Sequence, residues 1–231
     1  MKKRATTILL ALVMALTLLP VTAFAADFTG WTELISGNYN LGSGKYYLNG
    51  DVSMNQLFRT QDNADVTIDL NGHVLNLCGT PESDSRITVE SGGNLTIIDS
   101  NPYAEHKFTP NADGLWVLDE QSGTKTVNGG VITGGSEGNG GGVKIETGGS
   151  LTMNGGNIVG CRVNGQGGGV YVASGSSFTM NGGSIAGCAA DQQGAQGGGV
   201  YVQNGCEANE ANHFKALTPG VFTMNGGSII D

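Results

Sequence analysis

The chain is poor in charge, in aromatic side chains and in proline. Only 13% of its 231 residues are charged, 6% are aromatic and five are proline. With so little proline and no Gly-X-Y period, a collagen triple helix is excluded. Lys+Arg is 11 against 20 Asp+Glu, a net charge of −9. That sign argues against a nucleic-acid partner, whose phosphates require a basic surface. His73, His106 and His213 are scattered, and the four cysteines show neither CxxC nor His/Cys metal spacing. No metal or other cofactor is therefore expected. What the chain has in excess is glycine, with 11 before residue 127 and 29 after it. Glycine costs about 1 kcal/mol per helix-interior position, which disfavours long helices. A flexible Gly/Ser linker is disfavoured too, because Val, Ile, Leu, Met and Phe recur at regular places among the glycines.

The first segment reads as an address. Lys2, Lys3 and Arg4 precede an apolar run, Ile8 to Leu19, that is too short for a comfortable membrane span. Ala23-Phe24-Ala25 then fits a signal-peptidase site, so residues 1–25 are expected to be a signal peptide cleaved after Ala25. Cleavage leaves 206 residues with eight Lys+Arg against 20 Asp+Glu, a net charge of −12. No cysteine follows the apolar run to take a lipid, and no second hydrophobic stretch approaches spanning length. The mature chain is expected to be secreted or cell-wall associated, with no membrane span.

An internal repeat sets the fold. LTMNGGNIVGC from Leu151, FTMNGGSIAGC from Phe178 and FTMNGGSIID from Phe222 are near-copies, each preceded by an apolar pair: Val143/Ile145, Val170/Val172 and Val200/Val202. Met153 to Met180 and Cys161 to Cys188 are each 27 residues apart. Weaker copies lie upstream in VTIDLNG from Val66, ITVESGGNLTIID from Ile87 and TVNGGVITGG from Thr126, so a threonine column is expected through Thr67, Thr96, Thr126, Thr152, Thr179 and Thr223. Within a copy the alternation has period two, the signature of strands. Ser-Gly and Asn-Gly-Gly supply the turns, because Gly and Asn tolerate left-handed backbone. One such unit cannot bury its apolar side, whereas stacked units close a narrow core. The expected fold is all-β, a solenoid of about six recognisable coils over residues 45–231. The extra residues at 204–220 fall at a turn, as loop insertions on a solenoid should.

GGGVYV and SFTMNGGSIAGC, with DVTIDLNGHVLNL and ITVESGGNLTIIDS upstream, resemble the right-handed parallel β-helix repeats of secreted bacterial surface proteins, a fold shared with pectate lyases. The resemblance covers roughly Lys45 to Asp231 and implies a right-handed parallel β-helix with an N-terminal cap, here residues 26–44. It also implies a surface or secreted module engaged in adhesion or contact with polysaccharide or cell-surface glycan. The enzymatic alternative on this fold is a polysaccharide lyase or hydrolase, and the resemblance implies that a lyase needs clustered acids for calcium and an Arg or Lys base. Arg59, Arg86 and Arg162 occupy unrelated repeat positions, and the turn that carries Asp69 and Asp99 carries Asn in later copies. No catalytic residue is assigned, and a non-catalytic module is the leading reading.

The residues singled out have structural or contact roles. Asn128, Asn154, Asn181 and Asn225 share one repeat position and are expected to form an internal amide ladder. Beside the apolar pairs, Thr88, Trp116, Lys144, Tyr171 and Tyr201 are expected to point outward, with Tyr171 and Tyr201 neighbours and Trp116 two coils away. Trp116, Tyr171 and Tyr201 are the candidate glycan contacts; the competing reading is aromatic packing across strands. Cys161 and Cys188 occupy equivalent positions, with Gly135 in the preceding copy, and are either a disulfide or two small buried residues filling a column. Cys78 and Cys206 show no evident partner. The last copy stops before completing its coil, so the chain is expected to continue beyond Asp231 and to lack its C-terminal cap here.

Overall fold

A computed structural model describes residues 26–37, 39–77, 86–135, 138–208, 214–216 and 218–230. Residues 1–25, and with them the expected signal peptide and its cleavage site after Ala25, lie outside the described residues, as do Cys78 and His213. Among the described residues there is no helix. The chain instead builds three long parallel sheets, visited in turn, an all-β arrangement consistent with a β-helix or solenoid.

The first sheet has seven strands: Thr32–Glu33, Gly44–Tyr47, Asp65–Asp69, Asn94–Ile98, Ser150–Met153, Ser177–Met180 and Val221–Met224. The second runs through Val52–Ser53, Val74–Leu77, Val131–Gly134, Asn157–Val163, Ser184–Ala186 and Ser228–Ile230. The third runs through Asn40–Leu41, Phe58–Thr60, Ile87–Val89, Val143–Ile145, Val170–Val172 and Val200–Val202. The near-copies stack in register: Leu151 opposite Phe178 and then Phe222, Val143 opposite Val170 and then Val200, Ile158 opposite Ile185 and then Ile229. Alternation sends Val66, Leu95, Leu151 and Phe178 into one continuous core and leaves Thr67, Thr96, Thr152 and Thr179 half-buried outside. Phe178 and Phe222 stack at 4.9 Å between centroids. The segment expected as a cap joins this frame, pairing Thr32–Glu33 with Tyr46–Tyr47 and Asn40–Leu41 with Arg59–Thr60, and buries Leu34 and Leu41.

The Gly-Gly-Gly corner between the second and third sheets shows why the repeat is rich in glycine. Gly168 and Gly169 donate backbone hydrogen bonds of 2.9 Å to Gly197 and Gly198 of the next rung, so the corner is itself a ladder. A Cβ on Gly169 would lie 2.8 Å from Ile185 Cγ2 and within contact of Cys188 Sγ, so any side chain would prise the rungs apart. At the other end of the molecule, Val221, Met224, Ile229 and Ile230 are exposed.

Among the described residues, two segments leave the rungs. Cys206–Ala208 and Phe214–Ala216 form an antiparallel hairpin inside the expected 204–220 insertion, closed at its base by Gly220 N–H to the Gln203 carbonyl at 3.1 Å. The larger excursion follows Asp99. Glu105–Pro110 pairs antiparallel with both Trp116–Leu118 and Lys125–Asn128, giving a small three-stranded sheet. Its Phe108, Trp116 and Val127 pack on Val74, Val131, Val159 and Ala186, the outward side chains of the second sheet, as a second apolar cluster. The outward side of that sheet is thus buried beneath the insertion.

This excursion changes three expectations. Thr126 pairs with Lys107 rather than joining the threonine column, which holds Thr67, Thr96, Thr152, Thr179 and Thr223. Asn128 pairs with Glu105 in the same antiparallel sheet, away from the amide ladder. Trp116 lies over the second sheet, whereas Thr88, Lys144, Tyr171 and Tyr201 are on the third.

Candidate functional site

The outer side of the third sheet carries the only expected site residues that the fold aligns with one another for contact. Asn40, Arg59, Thr88, Lys144, Tyr171 and Tyr201 follow one another in strict register, one per rung. Strand spacing of roughly 4.8 Å makes this a straight column along the stack. Period-two alternation puts them on the outer side because Phe58, Ile87, Val143, Val170 and Val172 take the inside, although Thr88 is itself buried there, 4% exposed. Arg59 pairs with Glu90 at 3.0 Å and Lys144 with Glu146 at 2.5 Å. At the Arg59 end, Asn40, Arg59, Thr60, Gln61, Asp62 and Glu90 line an open polar hollow of about 400 Å³. Both signs of charge and several amide and hydroxyl groups meet there, a lining suited to a hydroxyl-rich ligand.

The aromatic end is arranged differently from the expected row of open rings. Tyr171 and Tyr201 stack at 5.5 Å with 15° between planes, so each ring turns a face toward the neighbouring rung. Tyr171 is only 8% exposed; Tyr201 is half-buried. A stack of this kind shows ring edges outward. Trp116 is likewise 8% exposed. Its N–H backbone group donates to the Gly187 carbonyl at 3.0 Å, and Lys125 Nζ lies 5.4 Å from the ring centroid. It is a docking residue of the insertion, with no part in the tyrosine column.

Three of the four column asparagines form the expected ladder. Asn181 Nδ2 donates to Asn154 Oδ1 and Asn225 Nδ2 donates to Asn181 Oδ1, both at 2.8 Å. Asn128 instead offers its backbone carbonyl to Asn157 Nδ2 at 2.8 Å. The turn aspartates serve backbone amides. Asp69 Oδ1 accepts from Asn71 N and Ser100 N at 2.8 and 2.9 Å. Asp99 takes Gly72 N on one oxygen and Gly130 N on the other, each at 2.8 Å. Carboxylates so committed fix turns between rungs.

Cys161 and Cys188 are neighbours, as expected, and both thiols are free. A hydrogen bond with the Cys188 thiol, together with complete burial, raises the Cys161 pKa well above the ordinary thiol range. Such a thiol is a poor nucleophile at neutral pH. One detail differs from the repeat alignment: Gly134, rather than Gly135, faces Cys161, because the pairing slips by one residue after Thr133/Val159. Gly160 is the extra residue, with φ +63°, and a Cβ there would collide with the Trp116 carbonyl oxygen. The bulge therefore makes room for the insertion.

Sequence reasoning missed the second apolar cluster. Its trace was present in adjacent apolar residues at Val131-Ile132 and Ile158-Val159, where a strand exposed on one side would alternate. No helix among the described residues is long and apolar enough to cross a membrane. Comparison with family models, with curated proteins and with solved structures finds no match for the chain.

Proposed function

We propose that the chain is a secreted or wall-associated module, a right-handed parallel β-helix of about six coils, that works by surface contact with a glycan and carries out no catalysis. The observation that carries this reading is the straight outward column from Asn40 and Arg59 to Tyr201, with a polar hollow at one end and a stacked tyrosine pair at the other. A linear polysaccharide has the shape to follow such a column, with hydroxyls meeting amide, guanidinium and ammonium groups and a sugar packing against the outward edges of the tyrosine pair. The commitment of Asp69 and Asp99 to backbone amides supports a structural role for the acids that a lyase would recruit.

The test is a glycan array probed with the wild-type chain and with Arg59→Ala and Tyr201→Ser, alongside a cleavage assay on pectin-like polymers with calcium. Binding should weaken about tenfold in each variant, the effect of one hydrogen-bonded charge or one aromatic contact, with thermal unfolding little changed. Equal binding by all three proteins would remove the column from the account. Turnover of the polymer would replace the contact reading with the polysaccharide-lyase or hydrolase reading.

A further inference from the structure

The first sheet turns an unbroken row of threonines outward. Thr67, Thr96, Thr152, Thr179 and Thr223 lie opposite one another on successive strands, and the register between these strands does not slip. At roughly 4.8 Å per strand, the five hydroxyls span about 19 Å. The segments that leave the rungs do not interrupt the row. The copy at Thr126 is drawn off into the antiparallel sheet, and the hairpin of Cys206–Ala208 and Phe214–Ala216 closes before Val221. Thr67, Thr96, Thr152 and Thr179 are half-buried, and Thr223 is exposed. Branching at Cβ restricts χ1, so stacked threonines hold their hydroxyls and methyls at a fixed spacing.

The columns on either side bond within themselves, and the threonines do not. Asn154, Asn181 and Asn225 form their amide ladder on one side. On the other, Ser150 Oγ donates to Asn94 at 2.5 Å and Asn94 Nδ2 donates to Asp65 at 2.7 Å. Among the described residues, no hydrogen bond engages the five threonine hydroxyls. From Thr96 onward this face also carries neither charge nor aromatic ring. In 94–98, 150–154, 177–181 and 221–225 the outward positions hold only Thr, Asn, Ser, Val and Ile.

We propose that this outward threonine face binds the surface of ice. An ice lattice carries no charge and offers only O–H donors and lone pairs, repeated at a spacing close to that of neighbouring strands. Its complement is a neutral, periodic, rigid face whose hydroxyls the fold leaves free, and the threonine row has each of these properties. A threonine hydroxyl donates once and accepts twice, so it can stand in for a lattice water. The methyl groups between hydroxyls do not compete for those bonds. Because the side chains are already fixed by branching and stacking, ordering water along the row costs little further entropy. A polysaccharide surface is the poorer fit here. The ring edges and charged groups that contact sugars stand on the third sheet, at Arg59, Lys144, Tyr171 and Tyr201. The two faces therefore have separate partners, and ice binding does not rest on the glycan reading.

The experiment follows ice growth in supercooled solution with the full chain, as thermal hysteresis and as recrystallisation of a polycrystalline wafer. Wild type is compared with Thr152→Lys, Thr152→Val and Thr126→Lys, and crystalline cellulose particles are offered to the same four proteins. Wild type should arrest growth at micromolar concentration. Thr152→Lys sets a hydrated charge in the middle of the row and should need about tenfold more protein for the same arrest, the loss of one or two hydrogen bonds. Thr152→Val keeps the branched shape without the hydroxyl and should fall between the two. Thr126→Lys alters the look-alike threonine outside the row and should match wild type. If Thr152→Lys does not fold, weakening in Thr152→Val decides. Unaltered ice growth with wild type, full activity in both Thr152 variants, or loss of activity in Thr126→Lys would overturn the proposal. So would capture by cellulose that Thr152→Lys abolishes while ice growth is untouched, because the face would then serve a polysaccharide surface.

Discussion

The rungs between Val143 and Ala190 and the insertion between Asp99 and Gly130 use the same local vocabulary to opposite ends. Both contain short strands, alternating side chains and an Asn-Gly-Gly turn: Thr152-Met153-Asn154 in one, Thr126-Val127-Asn128 in the other. In the rungs each strand lies parallel to its copy 27 residues away, as Leu151 lies beside Phe178. In the insertion the look-alike strand is antiparallel to Glu105–Pro110. A motif of this kind specifies a strand and a turn. The partner is chosen by which apolar surface still needs covering, and here that surface is the outward side of Val74, Val131, Val159 and Ala186.

The largest separation between the regions should come from their two buried phenylalanines, both fully excluded from water. Phe178→Ala opens the main core beneath Phe222 and should lower global unfolding stability by about 3–5 kcal/mol. Phe108→Ala creates a comparable cavity in the second cluster, but its effect should be confined: amides of 105–128 lose protection while those of 143–190 keep it. Chemical denaturation with site-resolved amide exchange distinguishes the two. Equal loss of protection in both regions would mean that insertion and rungs are one cooperative unit.

A smaller effect sharpens the contrast on the rung side. Asn181 both donates to Asn154 and accepts from Asn225, whereas Asn128 makes no ladder bond. Asn181→Ala should cost about 1 kcal/mol in thermal or urea unfolding, and Asn128→Ala markedly less.

The repeat was readable because its period, turn residues and alternation agree at every level: Val170, Phe178 and Ile185 face the core as their spacing requires. The column Lys144, Tyr171, Tyr201 was readable for the same reason. The misplaced residues share one cause. Trp116, Thr126 and Asn128 belong to a segment of about thirty residues whose strands meet one another first, and repeat similarity carries no information about such pairing. The slip from Gly135 to Gly134 opposite Cys161 was hidden because a bulge adds a residue without altering the motif. The self-stacking of Tyr171 and Tyr201 depends on side-chain rotamers, which alternation does not determine.

The partner of the third strand copy, at Thr126, is the point on which the comparison turns, and crosslinking measures it directly. In a chain whose four native cysteines are changed to alanine, two cysteine pairs are introduced separately, Thr96→Cys with Thr152→Cys and Thr126→Cys with Thr152→Cys. Thr96 and Thr152 are opposite each other on neighbouring strands, at the roughly 4.4–6.8 Å Cα separation a disulfide accepts. Mild oxidation should therefore crosslink that pair, although 56 residues separate it in sequence, and leave the Thr126/Thr152 pair reduced. A crosslink between 126 and 152, with none between 96 and 152, would place the third copy in the column as a rung and contradict the insertion.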